Sequence, residues 1–282
     1  MTSGVGMLVE HRNFSMVEFP AWVLTIGSAD PAAGGQPPHE VELDAFALGD
    51  RCVSAADFHA FLRDAPADVD HTMIDCIDPG FVVHRADGFR LRPGCADFPM
   101  IQISFWASAA YCNWLSRTEG LRPVYDIGAR GADLDRDGYR LPTEAEWEAA
   151  CLAGRRDGTD VDPDSWNCAD AGPTALKLRA GETLAGNFLP GHGAPVPVGS
   201  LPPDAAGLYE MLGNLREWCQ DRYGPYSPDR QRNPSGAARG AFRVVRGGSF
   251  IDPADSLGPA NRLAAYEDTK CEVYGFRVAL PR

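Results

Sequence analysis

The residues with the types and spacing to do chemistry are concentrated in the last forty positions. Two short apolar runs, FRVVRGGSF and YGFRVAL, flank a polar excursion over 251–274. It carries Asp252, Asp255, Asn261, Arg262, Glu267, Asp268 and Lys270. β-Branched residues in the flanks predict two paired strands with a long loop between them, and a loop of that length in a folded domain is usually functional. Gly247 and Gly248 allow a tight turn or a close backbone approach. Carboxylates here could do acid–base work, and Arg246 or Arg262 could hold an anionic substrate group.

Two other stretches present hard-cation chemistry. In GLYEMLGNLREWCQDRYG, Glu210 and Glu217 with the intervening carbonyls could wrap calcium; alternatively, Glu217 simply accepts backbone amides. The stretch reads as a compact turn anchored by Trp218. Asp133, Asp135, Asp137, Gly138 and Glu144 match the D-x-D-x-D-G-x5-E loop. Its flanks are wrong for that motif, because IGARGA is no helix and YRLPT resembles a strand and turn. His71 and His84, thirteen residues apart with no carboxylate pattern nearby, read as surface histidines.

Several elements must position these groups. Met16 to Ile26 and Val41 to Ala47 read as strands around a turn-rich linker, and PGFVVH and GFRLRP as shorter ones. Ser54, with Asp57 three residues on, caps a helix that buries Phe58, Phe61 and Leu62. Ser104 caps a second, with Phe105, Ala109, Cys112 and Leu115 as its inner stripe. Thr143 and Glu146 form a capping box for a third, over GYRLPTEAEWEAACLAG. The two clearest helices are those after Ser104 and Thr143.

Composition bounds the rest. The chain has 282 residues with 30 Gly and 23 Pro, which predicts a loop-rich fold. Its net charge of −13 argues against binding a phosphate backbone. None of the eight cysteines has CxxC spacing, so free and mostly buried thiols are expected. The N-terminus lacks the apolar core of a signal peptide and no window approaches a membrane span, which together favour the cytoplasm.

Taken in order, GYRLPTEAEWEAA, GLYEMLGNLREW, RVVRGGSF and YGFRVA resemble the formylglycine-generating enzyme, or sulfatase-modifying-factor, family. PMIQISFWASAAYCNW and FPAWVLTIGS extend the likeness from about Ser15 to the end. The resemblance implies a tail over 1–14 and one domain over 15–282. It implies an α+β, C-type-lectin-like fold with small antiparallel sheets and two main helices. Family enzymes oxidise a peptidyl cysteine with oxygen and copper held by two cysteines. Those cysteines fall at the third and eighth residues after the serine of GGS, here Asp252 and Leu257. Neither supplies the thiolate that Cu(I) prefers. The family's NxWEW tryptophan is Arg216, and its catalytic arginine falls near Asn261 or Arg262. The cysteine of its GFRC is Val278, facing Cys151.

What carries over is therefore a set of expectations. Ser249, Asp252, Asn261 and Arg262 are the expected catalytic residues; Arg216, Arg246, Asp255 and Glu267 are the expected substrate contacts. One calcium site is implied at Glu210, Gly213, Leu215 and Glu217, and a weaker second at Asn187 and Phe188. Relatives without the cysteine pair include sulfoxide synthases, whose iron-binding HxxxHxE bundle is absent here. Three functions follow: an oxidoreductase-type modifying enzyme using iron or copper on a peptide or small molecule, a lectin-like binding module, or a degenerate partner of a true enzyme.

Overall fold

Three side-chain caps start three helices. The computed structural model describes residues 12–30, 36–70, 72–76, 80–155, 166–172 and 193–282. Ser54 accepts the Asp57 amide and Asp57 accepts the Ser54 amide, opening α1, Ala55–Asp64. Ser104 accepts the Ala107 amide and opens α2, Phe105–Thr118. Thr143 and Glu146 form the expected box at α3, Glu144–Ala153. Three helices therefore stand where two main ones were expected, because α1 is capped as completely as α3. Helix α2 is buried on every face from Phe105 to Ser116, not along one stripe. Helix α3 is buried from Glu144 to Cys151.

Short strands surround the helices. Strands β1 (Met16–Phe19) and β14 (Ala279–Pro281) flank β4 (Phe46–Gly49), so the two ends of the described chain share one sheet. Strand β3 (His39–Leu43) lies between β2 (Trp22–Ile26) and β10 (Gln231–Arg232). Two hairpins stand apart: β5 (Val82–Arg85) with β6 (Gly88–Leu91), and β7 (Tyr125–Asp126) with β8 (Gly131–Ala132). The four-stranded sheet runs in the order β12 (Arg262–Tyr266), β11 (Phe242–Arg246), β9 (Arg216–Arg222), β13 (Tyr274–Gly275). Two pairings are parallel, β10 with β3 and β13 with β9, so the sheets are not purely antiparallel.

This sheet corrects two expectations. The stretch around Trp218 is a seven-residue strand, not a turn; its glycines lie outside Arg216 to Arg222 and leave that segment free to pair. The 251–274 excursion is no single loop, because Arg262–Tyr266 pairs with Phe242–Arg246 in register from end to end. Phe14 is buried in the core and Asn13 donates its amide to Asp57, so ordered packing begins within the expected tail.

Buried ion pairs tie the helices to the sheet. Residues 144, 146 and 148 of α3 are glutamate, and each takes an arginine from a different segment. Glu144 pairs with Arg262 of β12, Glu146 with Arg140 just before α3, and Glu148 with Arg246 of β11. A helix that packs on all sides can bury 144 and 148 on one face and 146 on the other. On β9, both carboxylate oxygens of Glu217 accept from Arg277, at 2.7 and 2.8 Å. Trp147 Nε1 donates to the same carboxylate at 3.0 Å.

Removing one partner of such a pair strands a charge in the interior, at a cost of about 3–5 kcal/mol. Glu217→Ala is therefore expected to lower stability by about that amount in urea unfolding. Arg130→Ala, which breaks a half-exposed pair with Asp268, is expected to cost under about 1 kcal/mol. Equal losses for the two variants would contradict this ranking.

Candidate functional site

The GGS turn builds the centre of the site. Gly247 and Gly248 both adopt positive φ, at 91° and 71°. A Cβ on Gly247 would stand 2.8 Å from the Met211 carbonyl, and one on Gly248 would run into the Leu257 side chain. Ser249, next in the chain, is buried. Its amide and its hydroxyl each donate to Asp252 Oδ2 at 2.8 Å. Arg216, at the start of β9, donates to Asp252 Oδ1 at 2.5 Å. The β13 register sets Tyr274 beside Arg216. Ser249, Asp252 and Arg216 thus come together, and the Arg216–Asp252 ion pair keeps side-chain exposures of 15% and 19%. Arg216 Nε has no hydrogen-bond partner among the described residues.

Other expected members of the site lie elsewhere. Arg246 is no substrate contact: its side chain is fully buried, paired with Glu148 and stacked 5.3 Å from the Trp147 ring centroid. Glu267 is held by Arg243 at 3.1 Å and Arg130 at 3.2 Å, and so anchors the end of β12. Arg262 points inward, its guanidinium held by both oxygens of Glu144 at 2.6 Å each. Asn261 turns its side-chain amide to the Ser256 carbonyl, while its own carbonyl accepts from Arg246. Asp255 is exposed on the 3₁₀ turn Ala254–Ser256. Arg246 and Arg262 stand opposite each other in the β11–β12 pair and so share the face that Glu144 of α3 covers.

The metal sets fare differently from the turn. The two positions matching the family's copper cysteines hold an ion-paired carboxylate and a buried leucine, which do not fit Cu(I). The calcium set does not converge either. Glu210 accepts the amides of Gly199 and Leu201, and Glu217 is committed to the Arg277 guanidinium. A calcium ion on Glu217 would have to displace a buried positive charge, so the residues as arranged do not fit it. Asn187 and Phe188 lie outside the described residues. The Asp133–Glu144 pattern is not a cation loop, because Asp133 pairs with Arg136, Asp137 with Arg122, and Glu144 turns inward to Arg262. Among the described residues no group of three or more His, Cys, Asp or Glu side chains is placed to hold a metal ion. His84 is exposed, as expected, and His71 lies outside the described residues. No disulfide joins any two of the eight cysteines, six of which are buried. No helix among the described residues is long and apolar enough to cross a membrane.

A second polar centre was not anticipated from the sequence. A cavity of about 370 Å³ is lined by Asp221, Tyr226, Glu144, Arg262 and His39. Asp221 is buried, and Oδ2 accepts the Glu144 amide at 2.8 Å. Burial, then the neighbouring Glu144 carboxylate, holds its carboxyl well above the usual range. The signal lay in the two-residue period of β9. Glu217 and Asp221 face α3, whereas Arg216 faces the GGS turn.

With that geometry described, comparison with known proteins is informative. Residues 7–281 match the family described as sulfatase-modifying factor enzyme 1-like domain. The chain is 31% identical to the formylglycine-generating enzyme of Streptomyces coelicolor, over 90% of this chain and 83% of that one. It is 29% identical to a Chlamydia pneumoniae protein named serine/threonine-protein kinase pkn1, over 90% of this chain. The chain spans only 36% of the length of that relative. Treponema denticola variable protein 1 has the same fold, with a TM-score of 0.71, 23% identity and 95% coverage of both chains.

Burial also raises the Glu210 carboxyl to about 7, against the amides of Gly199 and Leu201 and the charges of Arg277 and Arg51. The folded chain then keeps a proton that the unfolded chain releases near the ordinary value of 4.5. This contribution to stability is full below that value and is lost as pH rises through about 7. A carboxyl ¹³C titration of Glu210 is expected to show its midpoint near 7; an ordinary carboxylate midpoint would contradict it. At pH 7.5, neither millimolar calcium nor chelator is expected to change the melting temperature.

Proposed function

The chain belongs to the sulfatase-modifying factor enzyme 1-like family, and from that membership we propose that it is a divergent ligand-binding member. In this reading it recognises a peptide or small molecule at the Arg216–Asp252 centre, and does not generate formylglycine by the copper route. The observation that carries the reading is what occupies the two copper-cysteine positions. Asp252 is tied to Arg216 and Ser249, and Leu257 packs on Gly248. A hard, ion-paired carboxylate and an aliphatic side chain cannot provide the pair of thiolates that would hold Cu(I).

What remains is a recognition surface. A guanidinium beside a carboxylate matches a ligand group that both accepts and donates hydrogen bonds, such as an amide. The partial exposure of both side chains gives such a group access. Ser249 and the two glycines fix Asp252, so the centre is preorganised and binding costs little ordering.

The likeness to the Streptomyces coelicolor enzyme favours a second reading, a modifying oxidoreductase that works without the cysteine pair. Two measurements separate the readings. Competition with a Cu(I) chelator is expected to show no tight copper site, and an oxygen electrode no uptake with a cysteine-bearing peptide. A thermal-shift screen of peptides and amides is expected to find stabilising ligands whose effect disappears in Arg216→Ala. Stoichiometric copper binding coupled to oxygen uptake would overturn the proposal; oxygen uptake without copper binding would favour the second reading.

A further inference from the structure

The cavity beneath the 224–237 segment lies apart from the GGS turn, and its charges do not balance. Four buried carboxylates cluster around α3: Glu144, Glu146, Glu148 and Asp221. The three glutamates have their arginines, Arg262, Arg140 and Arg246. Asp221 forms no ion pair among the described residues; its one hydrogen bond comes from the Glu144 amide. The arginines that reach the cavity wall are all committed elsewhere. Arg262 is held by Glu144, Arg222 by Glu267 at 3.7 Å and the Gly240 carbonyl, and Arg232 by Asp44 at 2.7 Å. Opposite them, the Tyr226 hydroxyl is buried and without a hydrogen-bond partner among the described residues. The Tyr226 ring lies 4.7 Å from that of His39, and its face 4.4 Å from the Arg262 guanidinium.

We propose that this cavity binds a small organic cation, an ammonium or guanidinium group, with Asp221 as its counter-ion and the Tyr226 hydroxyl as an acceptor. The volume, about 370 Å³, is in the range of small-molecule sites. A buried carboxyl wedged beside Glu144 gains most from a partner that brings positive charge, since such a partner relieves both desolvation and like-charge repulsion. Tyrosine faces already stabilise one cation at this wall, Arg262, and so suit a second of the same class. An anion would be set against the Glu144 and Asp221 carboxyls, and a neutral group could not serve as counter-ion to either. Besides those two acids, the charged and titratable groups facing Asp221 are Glu146 and Arg140 at the α3 terminus, Arg262 of β12 and Cys219 of β9.

The probes are n-butylammonium, the size-matched neutral n-butanol, and butyrate, compared by saturation-transfer NMR on the whole chain. Butylammonium is expected to bind saturably, with butanol and butyrate weaker by about tenfold or more, as a buried charge pair requires. Asp221→Asn keeps an acceptor for the Glu144 amide and is expected to abolish the preference for the cation. Tyr226→Phe is expected to weaken butylammonium several-fold without affecting butanol. If butanol binds as well as butylammonium, or if Asp221→Asn leaves cation binding unchanged, the proposal is wrong. Should Asp221→Asn fail to fold, the comparison of the three probes on the unaltered chain still decides.

Discussion

The fold depends on four guanidinium groups withdrawn from water against four carboxylates. Arg246, Arg262 and Arg277 come from the C-terminal segment and Arg140 from just before α3, and their partners sit on α3 and β9. Ion pairs so deeply buried contribute little net free energy once desolvation is counted, but leaving any one of them half-made is expensive. Their effect is therefore on uniqueness. A slip of one residue along β11 would turn Arg246 away from Glu148 and leave two unpaired charges in the interior. In a chain with many short strands and few long elements, that penalty holds the register.

The same pairs decide what the C-terminal segment can do. Strand β12 delivers Arg262 to Glu144, and Glu267, just beyond its end, to Arg243, so these charges act as fasteners. The freedom left for recognition lies at the GGS turn, where Gly247 and Gly248 take conformations closed to other residues and bring Ser249 and Asp252 to Arg216. Replacing two thiolates with a carboxylate and a leucine changes the chemistry of the turn without disturbing its backbone, because the backbone is set by the glycines and by Ser249. The family's scaffold and the family's reaction are thus separable at the level of two side chains.

Strand β9 serves both centres by alternation. Arg216 faces the turn, while Glu217 and Asp221 face α3. Glu217 is ion-paired with a guanidinium, whereas Asp221 forms no ion pair among the described residues. One strand therefore carries a neutralised acid and an acid left over, and the difference arises only from which neighbours the fold supplies. The family likeness draws attention to the turn, but the charge balance draws it equally to the cavity behind β9.

Local signals were legible from the chain alone. The three caps at Ser54, Ser104 and Thr143, the short strands within PGFVVH and GFRLRP, the buried Trp218 and the double-glycine turn all depend on neighbours within a few residues, where side-chain chemistry and backbone preference act directly. The ordered motifs were enough to identify the family and its loop-rich α+β fold, and the loss of the copper cysteines could be read at single positions. The partners of the charged residues could not be read that way. Arg246, Glu267 and Glu217 read as free functional groups because a sequence shows a charge without showing what faces it. Only the tertiary structure brings Glu148 to Arg246 and Arg277 to Glu217, across separations of 98 and 60 residues, and leaves Asp221 in no ion pair among the described residues. Burial and charge pairing are properties of neighbours in space, which helix and strand periodicity constrain but do not name.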